Sequence, residues 1–192
     1  MTEPQPQPSY GTVTRLFHWL VVLLVLVQIP AGIAMVVPLP VLEQRTIDVL
    51  YIIHKGLGAV LLVVILLRVL WRLTHRALPM PGHWPPLERR LASVTHGFIY
   101  VLLVVVPVSG YVRVIADGFP IELLDWLGVP PLLPNLPAAA SVASLVHRFA
   151  VFVLVGLVAV HIAEVLRHQL VERDGEMARM WPPVGGGNGG EV

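Results

Sequence analysis

Apolar residues along the chain fall into four long runs separated by shorter, more polar connections. The runs cover about residues 16–37, 49–71, 92–115 and 142–166. Each is longer than the roughly 20 helical residues needed to cross the hydrocarbon core of a bilayer. Because backbone polar groups in lipid must be hydrogen-bonded within their own segment, the pattern predicts four transmembrane helices. Pro30 and Pro107 lie inside two of the runs and are expected to kink these helices without ending them.

The composition indicates a membrane protein. Charged residues make up 13% of the 192 residues and hydrophobic residues 56%, whereas a soluble domain carries about 25% charged residues. This small number of charged residues cannot cover a water-facing surface. We therefore predict that the chain's partner is the lipid bilayer, which surrounds its helices. The polar residues 1–11 and the glycine-rich residues 183–192 are predicted to be disordered tails on one domain at 12–182. An apolar stretch around Trp126 predicts a short helix at the membrane interface.

The few positive charges are sorted between the two sides of the membrane. Cytoplasmic segments of membrane proteins are enriched in Lys and Arg, so the sorting predicts that both termini lie in the cytoplasm. The net charge of +1 offers no electrostatic basis for nucleic-acid binding. The residues on the predicted cytoplasmic side are Arg15, Arg68, Arg72, Arg76, Arg89, Arg90, Arg167, Arg173 and Arg179, and those on the outer side are Arg45, Lys55, Arg113 and Arg148.

Histidines inside the apolar runs are the main chemical signal. The chain has no cysteine, which excludes disulfides, iron–sulfur clusters and covalently attached c-type haem. His147 and His161 are 14 residues apart, so they share one helix face and lie about 21 Å apart along its axis. His54 shares the outer depth with His147, and His18 shares the inner depth with His161. A low-spin haem takes two axial ligands from facing helices, so this pattern predicts two haem sites.

Other interpretations of these residues stay open. A membrane histidine also serves as a hydrogen-bond partner between helices. His96 shares the inner depth, and it is either an alternative ligand or a hydrogen-bond donor to a haem propionate. Glu164 is expected to pair with Arg68 or Arg167, or to carry protons. Cations near the two boundaries are candidates for binding propionates or lipid headgroups: Arg15, Lys55, Arg68, Arg113 and Arg148. Glycines that allow close approach of a helix or a macrocycle lie at positions 32, 56, 58, 110 and 156.

Six sequence motifs carry a resemblance to a known family. They are RLFHWL around His18, IIHKGLG around His54, THGFIYVLLVVVPVSGY in the third run, LVHRFAVF around His147, VGLVAVHIAEVLRHQL after it, and the final MARMWP. Over residues 12–182 the chain resembles the bacterial cytochrome b561 family. The resemblance implies an all-α transmembrane four-helix bundle in the bacterial inner membrane with two b-type haems in its core. It also implies the ligand pairs His18 with His161 and His54 with His147, and it places Trp19 beside the first ligand.

The resemblance also implies a function. Family members with an assigned role resemble superoxide oxidases, which release O₂ outside and reduce ubiquinone inside, so we expect a haem-dependent membrane oxidoreductase. Superoxide is an anion, and Lys55, Arg113 and Arg148 would concentrate it at the outer mouth. His168 matches a family position near the quinone end, and it or Glu164 would relay protons to the quinone. The alternatives are a cytochrome subunit of a hydrogenase or dehydrogenase with a redox-protein donor, and a haem-free membrane transporter or scaffold.

Overall fold

A computed structural model describes residues 9–37 and 42–182, and these residues form helices joined by loops. The helices are α1 (Thr12–Val36), α2 (Gln44–Thr74), α3 (Pro86–Ala116), α4 (Glu122–Trp126) and α5 (Pro137–Arg167), followed by a π-helical turn (His168–Glu172) and a 3-10 turn (Glu176–Arg179). The four long helices are long and apolar enough to cross a membrane. The described residues include no strand, so the all-α prediction is confirmed.

The four predicted spans each correspond to one long helix, and every helix begins before its apolar run. Pro86 and Pro137 occupy the first turns of α3 and α5, where a missing backbone N–H costs nothing. Pro30 and Pro107 lie inside α1 and α3 without ending them, as predicted. The short helix predicted around Trp126 is α4. Of the two predicted disordered tails, residues 1–8 and 183–192 lie outside the described residues.

The long helices pack unequally around the core. Close packing joins α1 to α2, α2 to α3 and α3 to α5, and no comparable packing joins α5 to α1 or α2 in the described part of the chain. The centre of the bundle is filled by an apolar cluster of Val21, Leu24, Leu61, Val64, Ile65, Leu103 and Leu154. We call the end of the bundle where α1 begins and α5 ends the terminal end. We call the opposite end, which carries α4, the loop end.

The residues after α5 turn back against the start of α1. Residues 176–182, here called the C-terminal strap, form three hydrogen bonds to that region. The backbone N–H of Tyr10 donates to the Arg179 carbonyl at 3.0 Å, and the indole N–H of Trp19 donates to the Met180 carbonyl at 2.8 Å. Arg15 Nη1 donates to the Pro182 carbonyl at 2.9 Å. The strap therefore covers one side of the terminal end.

Candidate functional site

Two histidines face each other at the loop end of the bundle. The rings of His54 on α2 and His147 on α5 have centroids 6.4 Å apart and planes inclined at 85°. A glycine lies beside each ring. A Cβ at Gly32 would lie 3.3 Å from His54 Cε1, and a Cβ at Gly110 would lie 3.1 Å from His147 Cε1. An alanine at either position would therefore force the ring or the helix to move by a few tenths of an ångström.

A backbone carbonyl determines which nitrogen of His147 is available. His147 Nδ1 lies 2.9 Å from the Val106 carbonyl oxygen, which can only accept a hydrogen bond. Nδ1 therefore carries the proton, and Nε2 has a free lone pair in the neutral ring. A histidine that binds a metal commonly donates its second ring N–H to a carbonyl in this way. Ser109 Oγ donates to the same carbonyl at 2.9 Å.

His54 has no such partner for its ring. Its Nδ1 is buried and forms no hydrogen bond with the described residues. Its backbone is held instead, because Gln28 Nε2 donates to the His54 carbonyl at 3.0 Å. A Cβ at Gly58 would lie 3.1 Å from this amide nitrogen, so glycine leaves room for Gln28 as well. The buried nitrogen of His54 is thus available to a bound group.

Three histidines meet at the terminal end. The ring centroids of His18 on α1 and His161 on α5 are 6.5 Å apart, at an interplanar angle of 76°. His96 on α3 is nearer to His161, with centroids 5.1 Å apart. Its Nδ1 donates to the Ala92 carbonyl at 2.7 Å, which leaves Nε2 free. At this depth the geometry is therefore compatible with His18 as an iron ligand and with His96 as the alternative ligand.

Arg68 lies against the terminal-end pair. Its Nη2 is 3.4 Å from His18 Nδ1, and its Nε donates to the Tyr100 hydroxyl at 3.1 Å. Its Nη1 is buried without a hydrogen-bond partner in the described part of the chain. A neutral His18 that accepts at Nδ1 has its proton on Nε2, so this contact and metal binding through Nε2 exclude each other. Binding of a metal at His18 would therefore release Arg68 to pair with another acceptor.

Arg15 is the most deeply buried charged side chain described. It is 1% exposed, and its Nε and Nη2 are buried with no hydrogen-bond partner among the described residues. A buried guanidinium without acceptors is costly, so these nitrogens fit an anionic group that is bound beside them. Trp19, expected next to the first ligand, packs edge-on against His18 with ring centroids 5.6 Å apart. Its indole also anchors the C-terminal strap.

These features fit the haem that the sequence predicts. Each end of the bundle has facing imidazoles on helices that are not closely packed together, and buried nitrogen atoms there have no hydrogen-bond partner among the described residues. Haem iron takes axial imidazole ligands, and Arg is well matched to the haem carboxylates. The residues that would hold the iron are His18 and His161 at one end and His54 and His147 at the other. Arg15 and Arg68 would pair with propionates at the terminal end.

His168 lies beyond the terminal-end pair in a cluster of charged residues. The side chain is 5% exposed and stacks on Trp84, with ring centroids 4.3 Å apart. Glu88, Glu172 and Asp174 surround its two ring nitrogens at 2.7–3.4 Å. Ligand atoms of Glu88, His168 and Glu172 lie within 4.8 Å of one another, a spacing that a metal ion could bridge. Arg167 already supplies both of these glutamates with a positive charge.

The other predicted site residues have different surroundings. Glu164 accepts a hydrogen bond from Arg167 at 3.0 Å, so of its two expected partners the structure shows Arg167. Lys55 donates to Glu122 at 2.7 Å and to the Pro120 carbonyl at 2.8 Å. Burial raises the pKa of the Glu122 carboxyl, but its hydrogen bonds and the charge of Lys55 outweigh this and lower it overall. Arg113 and Arg148 are exposed.

Several residues of the site were not predicted from the sequence. Gln28 and the Val106 carbonyl support the loop-end histidines, and Glu88 and Asp174 surround His168. The glycines at 32, 58 and 110 were the available signal, since each marks a side chain that approaches closely. The contacts of the C-terminal strap could not be predicted from helix periodicity, because they join segments more than 150 residues apart.

A membrane-spanning helical bundle with facing histidines near each end is the arrangement expected of a membrane cytochrome of b type. Residues 9–183 match the model of the prokaryotic cytochrome b561 family. The chain belongs to this family, so the resemblance predicted from its motifs is confirmed. Proteins of this family bind b-type haem and carry out transmembrane electron transfer.

Two relatives align over most of the chain. It is 32% identical over 178 residues to "Cytochrome b561 homolog 2" of Escherichia coli (strain K12), which covers 89% of this chain and 90% of that protein. It is 25% identical over 170 residues to "Probable superoxide oxidase CybB" of Yersinia pestis, which covers 86% of this chain and 91% of that protein.

Proposed function

We propose that this protein oxidises superoxide at the loop end and reduces ubiquinone at the terminal end through two b-type haems. The observation that supports this best is the presence of two facing histidine pairs, one near each end of the bundle. Along α5 the two levels are separated by about 21 Å. The similarity to a probable superoxide oxidase supports superoxide as the donor. The reaction would convert two superoxide ions, one quinone and two protons into two O₂ and one quinol.

The chain's own residues would hold and separate the two electron carriers. When bound, haem supplies an iron that accepts and releases single electrons. His54 and His147 would hold one group, and His18 and His161 the other. Leu154 lies seven residues from each histidine of α5, inside the apolar cluster. This cluster excludes water from the space between the two levels.

The loop end would attract superoxide through positive charge. Lys55 contributes less to this attraction than expected, because it forms an ion pair with Glu122. Arg113 and Arg148 are exposed and form no ion pair with other residues in the described ranges. Arg148 also follows His147 directly in the sequence. We therefore assign the steering of superoxide mainly to these two arginines.

Rapid mixing of the purified, haem-loaded protein with superoxide and a soluble ubiquinone would test the function. We expect quinol to form at half the rate at which superoxide is consumed, and replacement of both Arg113 and Arg148 by Gln should slow haem reduction. The slowing should disappear at high salt, since steering is screened. If no quinol forms above the uncatalysed rate although both haems are present, the proposed function is wrong.

A redox-protein donor is the second candidate function. The loop end carries exposed apolar side chains, among them Trp126 at 82% and Leu132 at 73% exposure, which would suit a docked subunit. This candidate predicts a stoichiometric partner after purification in mild detergent. It also predicts that superoxide does not reduce the haems faster than it dismutates.

We also propose that the protein lies in the bacterial inner membrane with the terminal end in the cytoplasm. The chain has no cysteine, so single cysteines can report the orientation. Asn135→Cys at the loop end should react with an impermeant maleimide in spheroplasts, and Ser93→Cys at the terminal end should react only after lysis. The reverse pattern would place the termini outside.

A further inference from the structure

A buried serine shares the carbonyl that orients His147. Ser109 lies on α3 and is 6% exposed. Its Oγ donates to the Val106 carbonyl oxygen at 2.9 Å, and the same oxygen accepts His147 Nδ1–H, also at 2.9 Å. Ser109 Oγ and His147 Nδ1 are themselves 3.4 Å apart. The hydroxyl, the carbonyl and the imidazole therefore form one compact group beside the loop-end histidine.

The Val106 carbonyl has more donors than lone pairs. A carbonyl oxygen has two lone pairs, and inside an α-helix one of them accepts the N–H four residues later. Ser109 and His147 then share the second lone pair, so each weakens the hydrogen bond of the other. A buried hydroxyl without a hydrogen bond is costly, and this keeps the Ser109 hydroxyl on the carbonyl.

The ring of His147 lies directly against α3. A Cβ at Gly110, the residue after Ser109, would be 3.2 Å from His147 Nδ1, so the Nδ1 edge of the ring faces the backbone of this helix. The carbonyl that Nδ1–H meets there is that of Val106. Removal of the Ser109 hydroxyl would therefore change the strength of this hydrogen bond and not the partner of the ring.

We propose that Ser109 is a positioning residue that limits how strongly the Val106 carbonyl holds His147 Nδ1–H, and that it thereby raises the reduction potential of the loop-end haem. The inference rests on the proposed function, in which His147 is a ligand of that haem. A strong hydrogen bond from Nδ1–H increases the electron density on Nε2, the nitrogen left for the iron, and this favours the oxidised form. A hydroxyl that shares the carbonyl weakens this hydrogen bond and favours the reduced form. The loop end would then accept an electron from its donor more readily.

The test is a redox titration of the haem-loaded Ser109→Ala variant and of wild-type protein, without oxygen and without superoxide. The reduced fraction of each haem is followed by absorbance, and His147→Ala shows which component belongs to the loop end. In Ser109→Ala we expect the ratio of reduced to oxidised loop-end haem at a fixed potential to fall about three- to tenfold, within the range that one hydrogen bond covers. For a one-electron couple this is about 30–60 mV. The terminal-end component should not shift.

Matched variants separate the hydroxyl from its packing. Ser109→Thr keeps the hydroxyl and should titrate like wild type. Ser109→Cys has a side chain of similar size with only a weak donor, so it should shift in the same direction as Ser109→Ala. Ser141→Ala removes another serine hydroxyl, which donates to the Pro137 carbonyl at 3.0 Å on the same helix as His147, and should leave both potentials unaltered.

Two outcomes would overturn the inference while the proposed function stands. They are a loop-end potential in Ser109→Ala that is equal to or higher than that of wild type, and a shift of the same size in Ser109→Thr. A different result would refute the proposed ligand assignment itself: His147→Ala protein that still binds both haems.

Discussion

Replacing Gly110 by alanine tests whether His147 holds a haem at the loop end. Gly110 lies on α3 and faces the His147 ring on α5. The added Cβ would lie 3.1 Å from His147 Cε1 and 3.2 Å from Nδ1, whereas ordinary contacts of a Cβ begin near 3.4 Å. The ring must therefore move by a few tenths of an ångström, or the two helices must separate. Either movement strains the 2.9 Å hydrogen bond from His147 Nδ1 to the Val106 carbonyl.

The size of the effect follows from what this hydrogen bond does. A typical hydrogen bond contributes about 0.5–1.5 kcal/mol net. Loss of the group that orients a metal-binding histidine typically weakens metal binding by about 10–100-fold. We therefore expect Gly110→Ala to weaken binding of the loop-end haem by at least about tenfold. The terminal-end site, about 21 Å away along α5, should be unaffected.

The assay is haem titration of the apoprotein with reduced-minus-oxidised spectra at each step. His147→Ala defines the spectrum of a protein without the loop-end haem, and Gly110→Ala should approach it at limiting haem. Gly97→Ala is the matched control, because it lies on the same helix and its Cβ would meet no atom within 4 Å. Full and equally tight haem binding in Gly110→Ala would refute the assignment of His147 as a ligand.

Three further predictions concern other parts of the molecule. His96→Ala should keep both haems in a haem-to-protein assay, and loss of one would make His96 a ligand. Arg68→Gln should lower the midpoint potential of the terminal-end haem, on the order of 100 mV, in a redox titration. The pKa of Glu122 is lowered below its ordinary value of 4.5; its ion pair with Lys55 should therefore persist above that value and be lost as the pH falls through the lowered pKa. A spin label attached to the cysteine of Trp126→Cys should become mobile as the pH falls through this lowered pKa. In a protein that also carries Glu122→Gln, the label should already be mobile at neutral pH.

Much of the fold and the depths of the histidines could be predicted from the sequence. The length of each apolar run predicts a membrane span. Because the rise per residue of a helix is constant, the 14 residues between His147 and His161 give their separation in depth. His147 and His161 lie on one helix, so their relative position needs no tertiary information. The structure brings the histidines predicted for each depth within about 6.5 Å of one another.

The contacts between distant segments could not be predicted in the same way. Helix periodicity gives the face on which a residue lies, but not the rotation of the neighbouring helix. His18 and His96 are at the same depth on different helices, so their distances to His161 depend on that rotation. The ion pair of Lys55 with Glu122 depends on how α4 folds back on α2. Lys55 was therefore predicted to attract superoxide, although Glu122 largely compensates its charge.

The two ends of the bundle differ in charge in a way that fits the proposed direction of electron transfer. At the loop end, glycines and backbone carbonyls surround the histidines, Lys55 is compensated by Glu122, and Arg113 and Arg148 are exposed to solvent, which screens their charge. At the terminal end, Arg15 and Arg68 have buried nitrogens without partners in the described residues. Adding an electron to a haem adds negative charge, so nearby cations stabilise the reduced form and raise its potential. Electrons would then move towards the terminal end.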